Sequence, residues 1–309
     1  MSAELGDDGG HRTGSGLIDV TVPNAARVFD FLFGGQDNFA ADRKAAAALV
    51  ESAPSIAATP GAARAFRRRV VGHLTAGAGI RQFLDVGAGM VPAVNTHEIA
   101  QAVDPACRVV YVESDPMALA HVNAVVNAAP GGIVTCVDGD IADVNGIVSA
   151  AGLSEAGPSP ADRSARDLSG AVAGSADPAD ACRPGDAAIL DPGQPLAVLL
   201  LSTLAHVASA ADAAKVVAAL MDSAPSGSYL AVYHLASDLD PALDGALKQW
   251  NAAATIPIVL RSSAEIAALV TGLDLVAPGL VPVDDWRPDP SDPAAASPVP
   301  VHGLVARKP

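Results

Sequence analysis

The sequence is poor in basic and aromatic residues. Lys and Arg number 19 against 34 Asp and Glu, which leaves a formal net charge of −15, and aromatic residues make up 4% of the 309 residues. Proteins that bind nucleic acid usually carry a basic patch, whereas the dense basic run here, Arg67, Arg68 and Arg69, is interpreted as the solvated side of a helix. The composition therefore argues against nucleic acid as a partner, and the core must be built mainly from Ala, Val, Leu and Ile.

Paired cysteines, long apolar runs and a signal segment are also missing. Cys107, Cys136 and Cys182 show no CxxC spacing, so the first two, in or beside predicted strands, are interpreted as small buried residues. The longest apolar run, 196–207, is too short to span a bilayer. The segment 1–10 is acidic and glycine-rich and contains no apolar core of a signal peptide. We therefore expect a cytoplasmic protein without a membrane partner. The sequence does not indicate an oligomeric state.

Apolar runs and helix-like segments alternate from residue 81 onward. Strands are predicted at 81–87, 108–113, 134–138, 196–201, 228–234, 275–283 and 301–307. A loop rich in Pro and Asp, rather than a helix, joins the last two, so the final strand is free to enter antiparallel. The pattern predicts an α/β doubly wound, Rossmann-like sheet of seven strands.

Composition divides the chain into three regions. Residues 1–16 are predicted to be a disordered tail, 17–78 a helical segment, and 79–309 an α/β domain with a flexible insertion at 154–194. In the helical segment, polar residues alternate with phenylalanines. A lid over a ligand cleft would explain this alternation, and the alternative is a helix cap with an aromatic packing face.

The segment 83–89 is the most informative motif, because an apolar strand there runs into Asp-x-Gly-x-Gly. Gly87 and Gly89 allow the backbone to turn sharply and to approach a ligand without a Cβ clash. Glu113 ends the next strand, which is the position where a carboxylate holds a ribose. Together these residues predict a nucleotide-like cofactor.

The spacing of the glycines favours one cofactor over others. A nicotinamide dinucleotide site requires Gly-x-Gly-x-x-Gly, but Pro92 stands at the third glycine position, and no Gly-Lys-Ser/Thr follows any predicted strand. S-adenosylmethionine has no pyrophosphate to hold, so it fits this turn better. No HxxxH spacing or carboxylate–histidine cluster indicates a metal.

Five segments carry a resemblance to a known family. They are 26–43 (ARVFDFLFGGQDNFAADR), 79–87 (GIRQFLDVG), 95–101 (NTHEIAQ), 108–116 (RVVYVESDP) and 227–230 (GSYL) with His234. They resemble the actinobacterial S-adenosylmethionine-dependent methyltransferase family once catalogued as domain of unknown function 574, over roughly residues 19–308 apart from the insertion. The resemblance implies a class I methyltransferase fold with strand order 3-2-1-4-5-7-6 and strand 7 antiparallel. It makes 79–309 the methyltransferase domain.

The resemblance also implies how S-adenosyl-L-methionine is bound. Asp85, Gly87 and Gly89 would surround its methionine and ribose portions, and Glu113 would accept hydrogen bonds from the ribose hydroxyls.

The adenosine end of the cofactor would meet residues after the second and third strands. Ser114 and Asp115 would flank the adenosine, Asp140 would meet the adenine amino group, and Ile141 would lie against the ring. The alternative for Asp115 and Asp140 is that each only caps the following helix.

Three polar residues follow the carboxyl ends of strands four and five, the edge where open α/β sheets bind ligands: His206, Tyr233 and His234. Methyl transfer mainly requires alignment of donor and acceptor, and a base only where the acceptor must lose a proton. We predict His234 as the base or orienting group. The alternative is a structural histidine bonded to a backbone carbonyl.

These observations predict a methyltransferase that acts on a small-molecule acceptor. The substrate side departs from the family pattern: this chain has Leu204-Ala205-His206 where the family has Leu-His, Tyr233-His234 where it has Ser-His, and Ala63-Arg64 where it has Asn-Arg. These departures motivate an alternative, a non-catalytic S-adenosylmethionine-binding or regulatory protein. A nicotinamide dehydrogenase is disfavoured by Pro92, and no Asn-Pro-Pro-aromatic motif of DNA amino methylation follows strand four.

Overall fold

The computed structural model describes residues 18–90, 95–126, 128–154, 189–254, 256–290, 292 and 298–309. The predicted tail, Pro92, Cys182 and most of the predicted insertion lie outside these residues. The end of the insertion is described and is anchored, since Leu190 is buried in the core and the main chain of Asp191 forms hydrogen bonds with the Gln82 side chain.

The strands of the described residues form one mixed sheet. Their bounds are β1 Gln82–Val86, β2 Arg108–Glu113, β3 Ile133–Asp138, β4 Ala197–Leu201, β5 Tyr229–Leu235, β6 Asp274–Leu275, β7 Val281–Pro282 and β8 Val301–Arg307. The order is β3-β2-β1-β4-β5-β8-β6, and β7 also pairs with β8. The strands β1 to β5 run parallel, and β8 lies antiparallel to β5. The predicted fold class is confirmed.

Helices cover the sheet and connect its parallel strands. In the described residues they are α1 Ala25–Leu32, α2 Ala40–Ser52, α3 Thr59–Ala76, α4 Thr96–Val103, α5 Pro116–Val125, α6 Val144–Ala150, α7 Ala210–Asp222, α8 Ala242–Ala253 and α9 Ser263–Ala268. Short 3-10 turns lie at Pro54–Ala58, Thr203–His206 and Val283–Asp285.

The core lies on both faces of the sheet. Because successive side chains of a strand point to opposite faces, Phe83 packs with Leu199 on one side and Leu84 with Leu200 on the other. The first face is covered by α1 to α5 and α8, and the second by α6, α7 and α9. The central strand β4 is buried over its whole length, which explains its unbroken apolar sequence.

Helix α3 belongs to this core. Its residues Phe66, Val70 and Leu74 are fully buried in the same cluster as Phe83. The Phe66 ring also meets Tyr233 of β5 edge-on, with ring centroids 6.2 Å apart. The packing fixes the first half of α3 near the carboxyl end of β5.

The predicted strand at 275–283 is wrong in detail, because the structure divides it into β6 and β7. Both short strands pair with β8, so they share the position of a single edge strand. Between β6 and β7 the chain leaves the hydrogen-bonded ladder, because Pro278 lacks a backbone N–H and Gly279 has a φ of +90°.

None of the helices in the described part of the chain has the length and apolar content needed to cross a bilayer.

Candidate active site

A cavity of about 340 Å³ opens where the carboxyl ends of the parallel strands meet the N-terminal helices. The sheet contributes residues that end or follow β1, β2, β3, β4 and β5, and α1 and α3 contribute the opposite wall. This edge is where parallel sheets bind ligands.

The turn after β1 requires its glycines. Gly87 and Gly89 have φ values of +72° and +69°, in the left-handed region that favours glycine. A Cβ on Gly87 would lie 2.6 Å from Thr203 Oγ1. The neighbouring Ser202 also has a positive φ of 78° and lines the cavity. Two tightly apposed turns, after β1 and after β4, therefore form the floor of the cavity.

Asp85 lies beneath this floor and is not a cavity-lining residue. Its side chain is 0% exposed and accepts a 2.6 Å hydrogen bond from Thr96 Oγ1. Burial raises the pKa of Asp85, and the charge of Arg67 and the Thr96 hydrogen bond oppose this rise. The placement indicates that Asp85 joins β1 to the start of α4, rather than a direct contact with a ligand.

Glu113 is placed as the sequence predicts, at the end of β2 and in the cavity wall. Its carboxylate accepts a 2.5 Å hydrogen bond from the backbone N–H of Gly89. Burial raises the pKa of Glu113 to about 7, although the Gly89 hydrogen bond lowers it. A carboxylate so enclosed is suited to accept hydrogen bonds from ligand hydroxyls.

The residues predicted for the adenosine also line the cavity: Ser114, Asp115, Asp140 and Ile141. Asp115 and Asp140 differ in whether they cap a helix. Asp115 caps α5, accepting from the N–H groups of Met117 and Ala118 at 2.8 and 3.0 Å. Its other oxygen accepts from Asn24 Nδ2 at 3.0 Å, which joins the start of α1 to the start of α5.

Asp140 does not cap a helix. Its Oδ1 accepts a hydrogen bond from the Ala142 N–H at 2.9 Å, whereas Asp143 caps α6 through the Gly146 N–H. The capping alternative therefore describes Asp115 and not Asp140.

Two arginines of α3, Arg64 and Arg67, line the cavity and were missed by the sequence prediction. The interpretation of the basic run as a solvated helix side is wrong, since Arg67 is 5% exposed and the Arg69 side chain is also buried. Arg68 and Arg69 form ion pairs with Asp292. The i, i+3 spacing of Arg64 and Arg67 is a signal that they share a helix face.

The Arg67 guanidinium lies over the glycine turn. Its Nη2 donates a long, 3.5 Å hydrogen bond to the Ala88 carbonyl, and its buried Nη1 has no hydrogen-bond partner among the described residues. The Arg64 guanidinium lies 4.9 Å from the centroid of the Phe33 ring. Neither arginine forms an ion pair within the described residues, although the charge of Arg67 opposes the rise in the pKa of both Asp85 and Glu113.

His206 and Tyr233 are two of the predicted catalytic residues that line the cavity. His206 Nδ1 lies 3.2 Å from the Pro257 carbonyl, so in the neutral ring Nδ1 carries the proton and Nε2 is left as an acceptor. Burial lowers the pKa of His206 and raises that of Tyr233, so at neutral pH one is an uncharged imidazole and the other an uncharged phenol.

His234 lies elsewhere and does not line the cavity. It is 0% exposed, with Nδ1 2.8 Å from the Leu235 carbonyl and Nε2 2.6 Å from Arg261 Nη1. Burial lowers the pKa of His234 to about 4. This placement does not support a role as base, and it agrees with the alternative of a structural histidine bonded to a backbone carbonyl.

The described residues contain no group of three or more His, Cys, Asp or Glu side chains that could hold a metal ion.

The strand order, the antiparallel β8, the glycine turn after β1 and the carboxylate ending β2 define the class I methyltransferase fold. The model of the S-adenosyl methyltransferase family matches residues 11–156 and 172–309. The chain therefore belongs to the S-adenosyl methyltransferase family, and its cofactor is S-adenosyl-L-methionine.

Two crystal structures are similar to this chain over nearly its whole length. One is a protein of the domain-of-unknown-function-574 family from Streptomyces avermitilis, with 32% identity, a TM-score of 0.78, and coverage of 94% of this chain and 99% of that one. The other is a candidate methyltransferase from Thermobifida fusca, with 31% identity, a TM-score of 0.74 and coverage of 94% and 96%. A comparison with curated proteins finds no match. The resemblance and the predicted cofactor are confirmed.

Proposed function

We propose that the protein transfers a methyl group from S-adenosyl-L-methionine to a small molecule held in the same cavity. The observation that carries this proposal is the shared cavity: about 340 Å³ joins the glycine turn and Glu113 to His206 and Tyr233. A volume of this order is typical of small-ligand pockets. The bound cofactor supplies an electrophilic methyl group, and the protein must orient the acceptor toward it and exclude water.

On the cofactor side, Glu113 would accept hydrogen bonds from the ribose hydroxyls. The Gly89 N–H already holds one carboxylate oxygen at 2.5 Å, which fixes the orientation of the side chain. Asp140 and Ile141 would contact the adenine, with Ser114 and Asp115 beside it, since all four line the cavity at the ends of β2 and β3. Gly87 and Gly89 would let the backbone approach the rest of the cofactor.

On the acceptor side, the proposal assigns His206 rather than His234 as the base. The Pro257 carbonyl holds His206 Nδ1–H, which leaves Nε2 to take a proton from an acceptor that must lose one. Tyr233, held edge-on by Phe66, would orient the acceptor with its phenol group.

Binding calorimetry tests the cofactor part. We expect S-adenosylmethionine and S-adenosylhomocysteine to bind and NAD not to bind. Binding of NAD without either sulfur nucleoside would refute the proposal.

Turnover of a panel of small acceptors with radiolabelled S-adenosylmethionine tests the chemistry. For acceptors that lose a proton, His206→Gln should lower kcat by about 10²–10⁴-fold while cofactor affinity stays unchanged. His73→Gln is the matched control, because His73 does not line the cavity. Full turnover by H206Q would contradict the role of His206. Cofactor binding by the wild type without turnover of any acceptor would favour the non-catalytic alternative.

A cytoplasmic location and the lack of a nucleic-acid partner stay predictions from composition.

A further inference from the structure

The environment of Arg67 differs from that of other buried arginines in the described chain. Arg27 forms an ion pair with Asp42 at 2.9 Å, and Arg261 donates to the carbonyls of Leu204 and Val207 at 2.7 and 2.6 Å. Arg67 has the 3.5 Å contact with the Ala88 carbonyl, and no carboxylate of the described residues lies within ion-pair distance of it. Asp85 and Glu113 are near enough for their charges to interact with Arg67, but neither forms an ion pair with it. A buried guanidinium nitrogen without a hydrogen-bond partner is costly, so the free Nη1 points to a bound anion.

The position of Arg67 relative to Glu113 indicates which part of a ligand it meets. Glu113 contacts the N–H of Gly89, and Arg67 contacts the carbonyl of the adjacent Ala88. The two side chains of opposite charge thus contact neighbouring residues of the glycine turn. The neighbouring residues carry the same signs of charge. Asp115 and Asp140 line the cavity together with Glu113, and Arg64 lies on α3 with Arg67.

This arrangement gives the cavity a polarity that matches the cofactor. A carboxylate suits the ribose hydroxyls, which donate hydrogen bonds, and a guanidinium suits a carboxylate, which it binds through two parallel hydrogen bonds. The amino-acid end of S-adenosylmethionine carries a carboxylate, whereas its nucleoside carries none.

We propose that Arg67 binds the methionine carboxylate of S-adenosylmethionine through its unpartnered Nη1 and thereby sets the direction in which the cofactor lies over the glycine turn. The inference rests on the proposed placement of the cofactor in this cavity. It assigns to α3, a helix that precedes the sheet in the chain, a specific contact with the ligand.

Two ligands that differ in the amino-acid part test this inference. S-adenosylhomocysteine carries the carboxylate, and 5′-methylthioadenosine has the same adenosine and thioether without it. In calorimetry, Arg67→Met should raise the Kd of S-adenosylhomocysteine by about 10- to 100-fold, as expected for a lost charge-assisted hydrogen bond. The Kd of 5′-methylthioadenosine should stay within about twofold, because R67M removes no contact with the nucleoside.

Arg68→Met is the matched control, because it makes the same charge change on the same helix and its side chain pairs with Asp292 outside the cavity. We expect R68M to bind both ligands like the wild type. Arg67→Lys keeps the charge without the planar fork, so its loss for S-adenosylhomocysteine should be intermediate. If thermal unfolding shows that R67M is not folded, the same comparison with R67K decides the question.

The outcomes separate the inference from the function on which it rests. Unchanged affinity of R67M for S-adenosylhomocysteine, or an equal loss for both ligands, overturns the role of Arg67 and leaves the cofactor site in place. Failure of the wild type to bind S-adenosylhomocysteine or S-adenosylmethionine overturns the cofactor placement itself.

Discussion

Replacing Glu113 with glutamine should make the ligand-free protein more stable at pH 8 and weaken its binding of the cofactor. Burial raises the pKa of Glu113 from its ordinary value of 4.5 to about 7. The folded protein therefore holds a proton that the unfolded chain releases between these values. The free energy of unfolding falls as the pH rises from about 4.5 to about 7 and stays lower above it.

The size of the effect follows from the gap between the two pKa values, which corresponds to at most about 3 kcal/mol. Glutamine removes the titration, and its carbonyl oxygen can still accept the hydrogen bond from the Gly89 N–H. At pH 8, E113Q should therefore be more stable than the wild type by up to about 3 kcal/mol, and the difference should shrink toward zero near pH 4.5.

Urea denaturation of both proteins without ligand, at several pH values from 5 to 8, measures this difference. Glu51→Gln is the control, since Glu51 is an exposed residue of α2 and its replacement should not give a difference that grows with pH. A stability difference between E113Q and the wild type that is constant across the range would refute the reasoning.

Binding should move in the opposite direction. The carboxylate form of Glu113 is the acceptor for the ribose hydroxyls, so wild-type affinity for S-adenosylhomocysteine should be about tenfold weaker at pH 6 than at pH 8. E113Q should lose affinity at pH 8 and show little of this pH dependence. Equal pH dependence in both proteins would assign the titration to another group.

Two further substitutions test the floor of the cavity and the anchoring of α1. Gly87→Ala should destabilise the protein by about 1–3 kcal/mol and lower cofactor affinity, because the new Cβ would meet Thr203 and the residue has a positive φ. Thermal unfolding and calorimetry measure the two effects, and wild-type stability and affinity would contradict this prediction. Asp42→Ala should cost about 3–5 kcal/mol in urea denaturation, because it leaves the buried Arg27 without its ion pair; a loss below about 1 kcal/mol would show that the pair is not needed.

The sequence predicted the parallel strands well because each is buried on both faces and so reads as an apolar run. The edge position was misjudged, since apolar residues at 275–283 resemble a strand while Pro278 and Gly279 interrupt the ladder. Edge strands receive less support from packing, so local backbone preferences decide their course.

For the site, the sequence could predict residues whose position follows from the strand ends, as for Glu113. It could not distinguish Tyr233 from His234, because neighbours in a strand face opposite sides and the sequence does not show which side holds the cavity. In the structure Tyr233 faces Phe66 and the cavity, whereas His234 faces Arg261. The burial of Arg67 likewise depends on how α3 packs. The sequence does not show this burial, because a run of three arginines is typical of an exposed helix side.

The packing of the N-terminal helices limits which part of the predicted lid, residues 17–78, can move. Phe66, Val70 and Leu74 bury α3 in the core of the sheet, so displacing this helix would expose apolar surface on both partners. Helices α1 and α2 are also anchored in this core, through Val28 and Leu49. Asn24 joins the start of α1 to Asp115, and Asp37, in the loop between α1 and α2, contacts His121. The Asp37 carboxylate is exposed, and a polar contact that is open to water costs less to break than a buried apolar face. A lid that opens for cofactor exchange would therefore have its moving part in the loop between α1 and α2, while α3, which carries Arg67, stays packed on the sheet.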